Sequence, residues 1–377
     1  MKKRYIRTGC ALFAAATVLS GSTVFAEENS SAAPKKWELE RYHSPNSVAV
    51  SAVRKELYVV NATMNSLSII DQETRAVVAE VDLGRFPVQA VLSRDQQTLY
   101  VTCLYDYCVQ AVDLAERKVI GGEKVGYEPY GLCLSRDGKR LYVANSISDS
   151  VTALDTATLK PIFECPVGRA PKFIAELPDS RRIAVSNGLS RHISILDALT
   201  GELLEERALD RASLMKAIVA LPGEAYLIAA GLIAHDDVIT MQIERGWINS
   251  NGLYVMKPDD PKHAVTVPLD SLLKGAANPW NVVVSPDQKR LYVSLAGMHE
   301  VAYVELEKLL ALVESTRPEE RVRLSQDVEV FDRLKLGKRM ETGGLGPRGI
   351  ALDASRNELY VANYFSNDLS VMDAESG

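Results

Sequence analysis

The stretch that decides the fold is Leu141-Tyr-Val-Ala-Asn145, which is followed closely by Ser150-Val-Thr-Ala-Leu-Asp155. Variants of this pair of segments recur along the 377-residue chain, at first every 42 residues and later at longer intervals. The tyrosine position is occupied in turn by Tyr58, Tyr100, Tyr142, Ala184, Tyr226, Tyr292 and Tyr360. An internal repeat of this length is typical of a solenoid, a propeller or an array.

Each repeat divides into four short strand-like segments that are bounded by turn residues, as the third repeat illustrates. Its first hairpin turn is Arg136-Asp-Gly-Lys139, between the segments 130–135 and 140–145. Four strands in a repeat of this length are typical of a propeller blade. We therefore predict an all-β fold, a seven-bladed β-propeller of four-stranded antiparallel blades, over residues 27–377. Its blades begin near residues 45, 87, 129, 171, 213, 279 and 347.

Two irregular regions complete the fold prediction. The last repeat stops before its fourth strand, and a spare strand-like segment at 36–43 precedes the first repeat. We expect this N-terminal strand to close the last blade, since closure leaves no open sheet edge; the alternative is a chain cut from a longer protein. Blade six has extra residues after its third strand, and segments 306–315 and 324–336 show helical apolar spacing. They predict a short helical insertion.

The first 26 residues have the pattern of a secretory signal peptide. A basic start precedes the short apolar run 10–19, and Val24-Phe-Ala26 supplies small residues at a cleavage site near Ala26. The protein is therefore expected to be periplasmic or extracellular, without a membrane span. Removing these residues leaves 39 basic and 49 acidic residues, a net charge of −10 that argues against nucleic-acid binding.

Four cysteines remain after the signal peptide, and none lies in a Cys-x-x-Cys-His motif. We therefore expect no covalently bound haem and no other cofactor in this chain. Cys103 and Cys108 flank a tight connection between two predicted strands. An oxidising compartment would permit a disulfide between them, and two free thiols are the alternative.

The repeat resembles the YVTN family of bacterial propeller repeats, found in surface-layer-type and YncE-like proteins. A narrower resemblance rests on Glu244-Arg-Gly-Trp-Ile-Asn-Ser-Asn251, Ala277-Asn-Pro-Trp280 and Gly297-Met-His-Glu300. These segments look like the propeller half of bacterial proteins fused to a di-haem cytochrome c peroxidase-like module. The resemblance implies a periplasmic setting and a di-haem cytochrome c-type protein as partner. The haem-bearing half is absent from this sequence, so no redox activity is carried over.

The candidate binding site lies where the repeat is interrupted. Blade five has an insertion at 229–252 between its second and third strands, and propeller geometry places it beside the connections that lead into each blade. Long connections in compact domains are usually functional or disordered, and the polar and aromatic content of this one favours a function. The candidate residues in and around this insertion are His235, Asp236, Arg245, Trp247, Asn249, Asn251, Trp280, Asn281, His299 and Glu300. Nothing in the spacing of the histidines requires a metal, so none is predicted.

Basic residues follow or precede several of the leading prolines. They are Arg85, Arg169, Lys172, Lys216 and Arg348. If they gather at the channel mouth, they would attract a small anionic ligand, and the alternative is a set of solvated loop charges. Tyr130, Phe173 and Trp280 occupy neighbouring positions, where they would line the channel or serve packing.

The sequence therefore favours a binding or scaffold module that acts through the face carrying the blade-five insertion, as an accessory to periplasmic haem redox proteins. No Ser-His-Asp arrangement, phosphate loop or nucleophile elbow is recognisable. The alternative is a propeller enzyme, lactonase-like or cofactor-dependent, with its site at the channel mouth. In that case His235, Asp236, Arg245 and His299 are the first residues to test.

Overall fold

The computed structural model describes residues 4–7, 42–223, 226–235, 249–260, 262–271 and 273–377. These residues form seven four-stranded antiparallel sheets, each built from strands in sequential order apart from the last. The first strands are β2 (Pro45–Ser51), β6 (Pro87–Leu92), β10 (Pro129–Leu134), β14 (Pro171–Glu176), β18 (Ala212–Ala220), β22 (Pro279–Val284) and β26 (Pro347–Asp353). The second strands are β3 (Glu56–Asn61), β7 (Thr98–Cys103), β11 (Arg140–Asn145), β15 (Arg182–Asn187), β19 (Leu227–Ala234), β23 (Arg290–Leu295) and β27 (Glu358–Asn363).

The outer half of each sheet is formed by the third and fourth strands. The third strands are β4 (Ser66–Asp71), β8 (Cys108–Asp113), β12 (Ser150–Asp155), β16 (His192–Asp197), β20 (Asn249–Met256), β24 (Glu300–Glu305) and β28 (Asp368–Asp373). The fourth strands are β5 (Val77–Asp82), β9 (Lys118–Lys124), β13 (Pro161–Pro166), β17 (Leu203–Ala208), β21 (Ala264–Pro268), β25 (Gly337–Glu341) and β1 (Arg4–Arg7).

The seven sheets are arranged as a closed ring. Each first strand contacts the first strand of the next blade, and β26 of the last blade contacts β2 of the first. The second and third strands are almost fully buried, and apolar clusters fill the spaces between neighbouring sheets. The predicted seven-bladed propeller is therefore confirmed, and its first strands surround a central channel.

An N-terminal strand closes the last blade, but it is not the predicted segment. Residues Arg4–Arg7 pair antiparallel with Asp368–Asp373, so the closing strand comes from the stretch with signal-peptide character. The prediction placed residues 36–43 there, and residues 36–41 lie outside the described part of the chain. Pairing at a sheet edge uses backbone groups, so side-chain pattern alone did not identify the segment that pairs.

The repeated tyrosine fastens several of the blades to the next. The hydroxyl of Tyr142 donates to the carbonyl of Ala198 at 2.8 Å, and Tyr292 makes the same bond to Ala374 at 2.9 Å. Both acceptors follow the third strand of the neighbouring blade. Because these rings are buried, their hydroxyls need a partner, and the next blade supplies it. This requirement explains why tyrosine, and not only an apolar residue, recurs at this position.

The repeated asparagine and aspartate stabilise turns. Asn145 donates from its amide to the hydroxyls of Ser150 and Thr152, at 3.0 and 2.8 Å, which braces the hairpin between the second and third strands. Asp155 accepts from the backbone N–H groups of Ala157 and Thr158 in the turn that follows the third strand. These hydrogen bonds, with that of the Thr158 hydroxyl, hold the pKa of Asp155 below its usual value.

The propeller has two faces with different connections. The front face is formed by the connections from each fourth strand to the next blade and by the turns between second and third strands. Hydrogen bonds join the two sets, such as Ser146 N–H to Glu128 O at 2.9 Å and Gly188 N–H to Ala170 O at 2.8 Å. The back face is formed by the remaining two kinds of turn, which are joined by bonds such as Ala198 N–H to Arg181 O at 2.8 Å.

Blade five differs from the others because its second hairpin is longer. Strands β19 and β20 pair over eight residues each, as far as Ala234 opposite Asn249. Much of the predicted insertion 229–252 is therefore regular strand, and residues 236–248 lie outside the described part. The described ends of the insertion, Ala234 and Asn249, lie on the front face, because they end a second strand and begin a third.

The insertion of blade six lies on the back face and outer rim. Helix α1 (Leu306–Ser315) has the predicted bounds, whereas the predicted helix 324–336 is wrong. A 3₁₀ turn (Pro318–Glu320), helix α2 (Arg321–Ser325), helix α3 (Val330–Arg333) and strand β25 occupy this region instead. Helices α2 and α3 contact β21, and Leu309 and Phe331 join the core between blades five and six. The insertion therefore shields the outer edge of blade five.

Candidate functional site

The mouth of the central channel on the front face holds three of the predicted cations, and two of them contact one indole. The ammonium of Lys216 lies 3.8 Å from the centroid of the Trp280 ring, and the guanidinium carbon of Arg348 lies 4.1 Å from it. Arg348 also stacks on Tyr364, at 3.3 Å from the ring centroid. Lys172 lies over Tyr130 at 4.4 Å. The first strands place these side chains because each begins at the channel mouth.

Each of these cations is held by a neutral hydrogen-bond partner. Lys216 donates to the side-chain oxygen of Asn278, Lys172 to the hydroxyl of Ser146 at 3.2 Å, and Arg348 to the side-chain oxygen of Asn46 at 2.8 Å. All three cations are partly buried. Burial disfavours a charge, and it is the main reason why the pKa of each is lowered. The pKa of Lys216 is lowered to about 8, with the charges of Arg348 and Lys172 contributing.

Two of the predicted cations lie elsewhere on the front face. Arg85 is exposed and pairs with Asp106, its Nε lying 2.7 Å from a carboxylate oxygen. Arg169 is exposed on the connection that leads to β14. The expectation that all five basic residues gather at the mouth is therefore wrong for these two, because they precede the leading proline and stay on the rim. The residues that follow the proline, or lie within the first strand, reach the channel.

His299 holds a backbone connection in place, as the equivalent residues of other blades do. Its Nδ1 accepts from the backbone N–H of Gly346 at 3.0 Å, just before the leading proline of blade seven. Asn65 and Asp149 hold the same place in blades one and three, and their side chains accept from Phe86 and Ala170 at 2.8 and 2.7 Å. His299 thus fixes the connection that carries Arg348, and it is a positioning residue for the channel mouth.

Glu300 belongs to a buried ion-pair group. Its carboxylate lies 2.6 Å from the guanidinium of Arg339 and also pairs with Lys274. Arg339 donates further to the carbonyl of Gly275 at 2.6 Å. The charge of Glu300 is therefore neutralised locally, and the group fastens the connection between blades five and six to β25.

Asn251 is likewise structural. It lies buried in β20, and its side-chain oxygen accepts from the backbone N–H of Asn278 at 3.2 Å. The carboxylate of Asp270, fully buried, accepts from the backbone N–H groups of Asn251 and Ala276. Burial raises the pKa of Asp270 in spite of these bonds. Asn251 and Asp270 therefore shape the connection that presents Asn278 to Lys216.

Of the remaining predicted residues of the insertion, the structure describes His235 and Asn249. His235 is buried and its Nε2 lies 2.7 Å from the hydroxyl of Ser250, while Asn249 is exposed at the start of β20. Asp236, Arg245 and Trp247 lie outside the described residues. Within the described ranges no group of three or more His, Cys, Asp or Glu residues is arranged to hold a metal ion.

Some residues of the channel mouth were predicted from the sequence, and others were not. Asn281, a predicted site residue, is half-buried in β22, and its side-chain oxygen accepts from Val282 N–H at 2.7 Å. Asn46, Asn278 and Tyr364 were missed. Asn46 directly follows a leading proline, the position that also supplies Lys172, Trp280 and Arg348, so repeat register was a usable signal. Tyr364 carried no such signal, since its register position holds unrelated residues in other blades.

Cys103 and Cys108 face each other across the second hairpin of blade two. They are directly opposed partners in the pairing of β7 with β8, and both are buried free thiols. Burial and the contact with Cys108 raise the pKa of Cys103. Their oxidation to a disulfide stays a prediction.

The exposed large apolar residues are concentrated on the front face. Those on its connections and turns are Tyr42, Tyr105, Tyr107, Tyr127, Ile147, Leu189, Leu214, Leu273, Leu345 and Phe365. Several form aromatic pairs at the surface, such as Tyr107 with Tyr127, whose ring centroids lie 5.0 Å apart. The back face exposes Val53 and Leu199 on its turns and Val322 and Leu334 on the blade-six insertion, and the outermost strands expose six more such residues. An apolar surface with this bias is typical of a protein-binding face. No helix in the described part of the chain is long and apolar enough to span a bilayer.

Comparison with known proteins gives matches in sequence and in structure. A family model described as the cytochrome D1 heme domain matches residues 53–217. A curated relative, hydrazine synthase subunit beta of Kuenenia stuttgartiensis, is 29% identical over 173 residues, which are 46% of this chain and 44% of the relative. This chain is similar to a hydrazine synthase subunit. The aligned sequence spans less than half of that relative.

The structural similarity extends further than the sequence similarity. A solved structure of Kuenenia stuttgartiensis hydrazine synthase superposes with a TM-score of 0.83 at 25% identity, covering 90% of this chain and 98% of that one. Virginiamycin B lyase from Staphylococcus aureus gives a TM-score of 0.65 at 11% identity, over 88% of this chain and 96% of that one. The second likeness shows the fold alone.

Proposed function

We propose that this chain is an exported, non-catalytic binding subunit that docks a haem-containing redox protein on its front face. The observation that carries the proposal is the concentration of exposed aromatic and aliphatic side chains on that face. Tyr127 and Phe365 are each 60% exposed, which is costly for a surface that meets only water. Tyrosine and phenylalanine are also the residues most enriched where proteins bind one another.

The composition of the face supports a protein partner in preference to a membrane. Its apolar residues are interspersed with charged groups, such as the Arg85–Asp106 pair that lies close to Tyr105. Alternating polar and aromatic groups suit a hydrated protein interface, where a few aromatic anchors are surrounded by a polar rim. The long hairpin of blade five projects from the same face and extends the available surface.

The class of partner follows from the similarities. Hydrazine synthase has a subunit beta, so the relative by its name works within an assembly of several subunits. The matching family model is described as a heme domain. This chain contains no Cys-x-x-Cys-His motif for covalent haem attachment, so the haem is assigned to the partner. We propose a di-haem cytochrome c-type protein as that partner and membership of the YVTN group of repeats. We also propose a periplasmic location after cleavage near Ala26, which would remove strand β1 (Arg4–Arg7) and leave the edge of β28 free to pair with another strand.

The test is a binding measurement between purified proteins. The propeller and a di-haem c-type cytochrome from the same organism are mixed, and the complex is detected by size-exclusion chromatography with absorbance at the Soret band. Tyr107→Ser together with Tyr127→Ser, both on the front face, should weaken the complex about tenfold or more, because buried aromatic anchors dominate binding energy.

The matched control changes exposed apolar residues on the back face. Val53→Ser together with Leu199→Ser removes similar exposed apolar surface, 74% and 52% exposed, far from the proposed interface. This variant should bind as the unchanged protein does. Equal loss in both variants, or absence of a complex at micromolar concentrations, would contradict the proposed docking face.

A further inference from the structure

The rim of the front face and the channel mouth differ in whether their cations are paired with carboxylates. On the rim, Arg85 has Asp106, and beneath it Glu300 has Arg339. Among the described residues, no carboxylate lies within ion-pair distance of Lys172, Lys216 or Arg348, whose hydrogen-bond partners are neutral. Within the described ranges, the mouth therefore carries three positive charges without a carboxylate in contact, although Glu128 is near enough to act on Lys172.

These three charges are close enough to act on one small molecule. The ammonium of Lys216 and the guanidinium carbon of Arg348 contact the same Trp280 ring, so by the two centroid distances they are at most about 8 Å apart. Lys172 lies on β14, which packs against β18, the strand that carries Lys216, and its charge contributes to the lowered pKa of Lys216. Three like charges, partly buried in one place, repel one another, and their proximity costs folding free energy.

We propose that the channel mouth binds a small oxyanion carrying two or more negative charges, with Lys172, Lys216 and Arg348 as its ligands. A multivalent anion matches the local charge, whereas a monovalent anion leaves most of it unmatched. The guanidinium offers a planar set of donors suited to oxyanions, and the Nε of Arg348 is buried without a hydrogen-bond partner among the described residues. The lysines supply point charges to the other oxygens.

Aromatic side chains hold the three cations of the channel mouth in fixed positions. Tyr130, Trp280 and Tyr364 fix the three cations by stacking, so little ordering is needed when an anion binds. They also exclude water from one side of each charge, which strengthens attraction to an anion. This arrangement separates the site from solvated loop charges such as Arg169.

The experiment is a calorimetric titration of the isolated protein with sulfate and with citrate, at pH 7 and low ionic strength, with acetate as the monovalent comparison. Sulfate and citrate should bind at one site, and acetate should bind about tenfold or more weakly. Absence of saturable binding of both probes, or equal binding of acetate, would overturn the proposal. Because no partner protein is present, this result is independent of the docking proposed above.

Variants locate the site. Lys216→Met and Lys172→Met should each weaken sulfate binding about tenfold or more, the scale of one charge-assisted hydrogen bond. Arg85→Met and Arg169→Met remove front-face charges outside the site and should leave binding within about twofold. Circular dichroism and the melting temperature without ligand show that each variant is folded. Binding that survives both lysine changes would mean an adventitious ion only, and would overturn the proposal.

Binding should also depend on pH in a defined way. Lys216 faces Arg348 and Lys172, Glu128 faces Lys172, and Tyr130 and Tyr364 face Arg348. As the pH rises from 7 to 9, Lys216 loses its proton and sulfate should bind progressively more weakly. In Lys216→Met the dependence over this range should become much flatter. An unchanged slope in that variant would contradict the role of Lys216.

Discussion

The two faces of this propeller are built from the same repeat, yet they follow different physical rules. On the back face, polar groups of the repeat are satisfied within the fold: Tyr142 bonds to Ala198, and Asp155 caps its own turn. On the front face, apolar rings such as Tyr127 and Phe365 meet solvent, and the cations at the channel mouth have no carboxylate within ion-pair distance among the described residues. Interactions near the back face thus stabilise the fold, whereas the exposed rings and the cations of the front face remain available to bind another molecule.

This difference has a consequence for how mutations act. A change on the back face removes interactions that already exist in the isolated protein, so it lowers stability. A change to an exposed ring or a cation of the channel mouth removes a group that the isolated protein does not need, so it lowers binding and leaves stability unchanged or raises it. The first contrast below is between the two faces, and the others test how far the same division holds within the front face.

The largest expected contrast is between two tyrosines of blades two and three. Tyr142→Ala removes a buried ring and its bond to the next blade, and it should lower the free energy of unfolding by about 3–5 kcal/mol. Tyr127→Ala removes an exposed ring and should change it by no more than about 0.5 kcal/mol. Urea unfolding followed by circular dichroism measures both. Similar losses in the two variants would mean that the front-face ring is part of the core.

A second contrast lies between two ion pairs. Arg339→Met leaves Glu300 buried with only part of its compensation, and it should lower stability by about 3 kcal/mol. Arg85→Met breaks the exposed pair with Asp106 and should cost less than about 1 kcal/mol. The same unfolding measurement separates the two. A large effect of Arg85→Met would show that the rim, too, is organised for stability.

The sequence predicts the structural residues that recur at the same position of each repeat. Tyr142, Asn145 and Asp155 recur in register, so the number of blades, their strands and their turns followed from spacing alone. The closing strand did not, because a sheet edge pairs through backbone groups and Arg4–Arg7 takes the place expected for residues 36–43. The helix predicted at 324–336 failed because apolar spacing cannot show where a chain breaks into shorter turns.

The candidate site was predictable only where residues could be assigned to a register. Lys172, Trp280 and Arg348 follow leading prolines and do meet at the mouth, as the repeat implied. His299 and Glu300 were chosen for their chemistry, yet hydrogen bonds and ion pairs already engage both. Whether a polar group is satisfied depends on neighbours distant in sequence, such as Gly346 and Arg339, and spacing does not identify them.

The effect of the Lys216 charge on the stability of the folded protein should depend on pH. Its folded-state pKa of about 8 lies below the ordinary 10.5, so the unfolded chain holds this proton more tightly. The charge therefore destabilises the folded protein fully below pH 8, and the penalty disappears as the pH rises toward 10.5. At pH 7 without added anions, Lys216→Met should be more stable than the unchanged protein, by on the order of 2 kcal/mol.

The measurement is the urea midpoint at pH 7, 8, 9 and 10. The stability difference between Lys216→Met and the unchanged protein should shrink as the pH rises. Lys118→Met, which changes an exposed lysine on β9, serves as the control and should show no such trend. A Lys216→Met variant that is less stable at pH 7 would show that the stacking of Lys216 on Trp280 outweighs the repulsion at the mouth.

The smallest expected effect tests whether His299 is structural or chemical. Asn65 and Asn367 occupy its register position and accept the equivalent backbone hydrogen bond, Asn367 from Ser44 at 3.1 Å. His299→Asn should therefore preserve the melting temperature and sulfate binding, whereas His299→Ala should cost about 1 kcal/mol by leaving Gly346 N–H unpaired. Thermal unfolding and sulfate titration of both variants check this. Loss of sulfate binding in a stable His299→Asn protein would assign the imidazole a chemical role, because an amide can replace its hydrogen bond but not its acid–base chemistry.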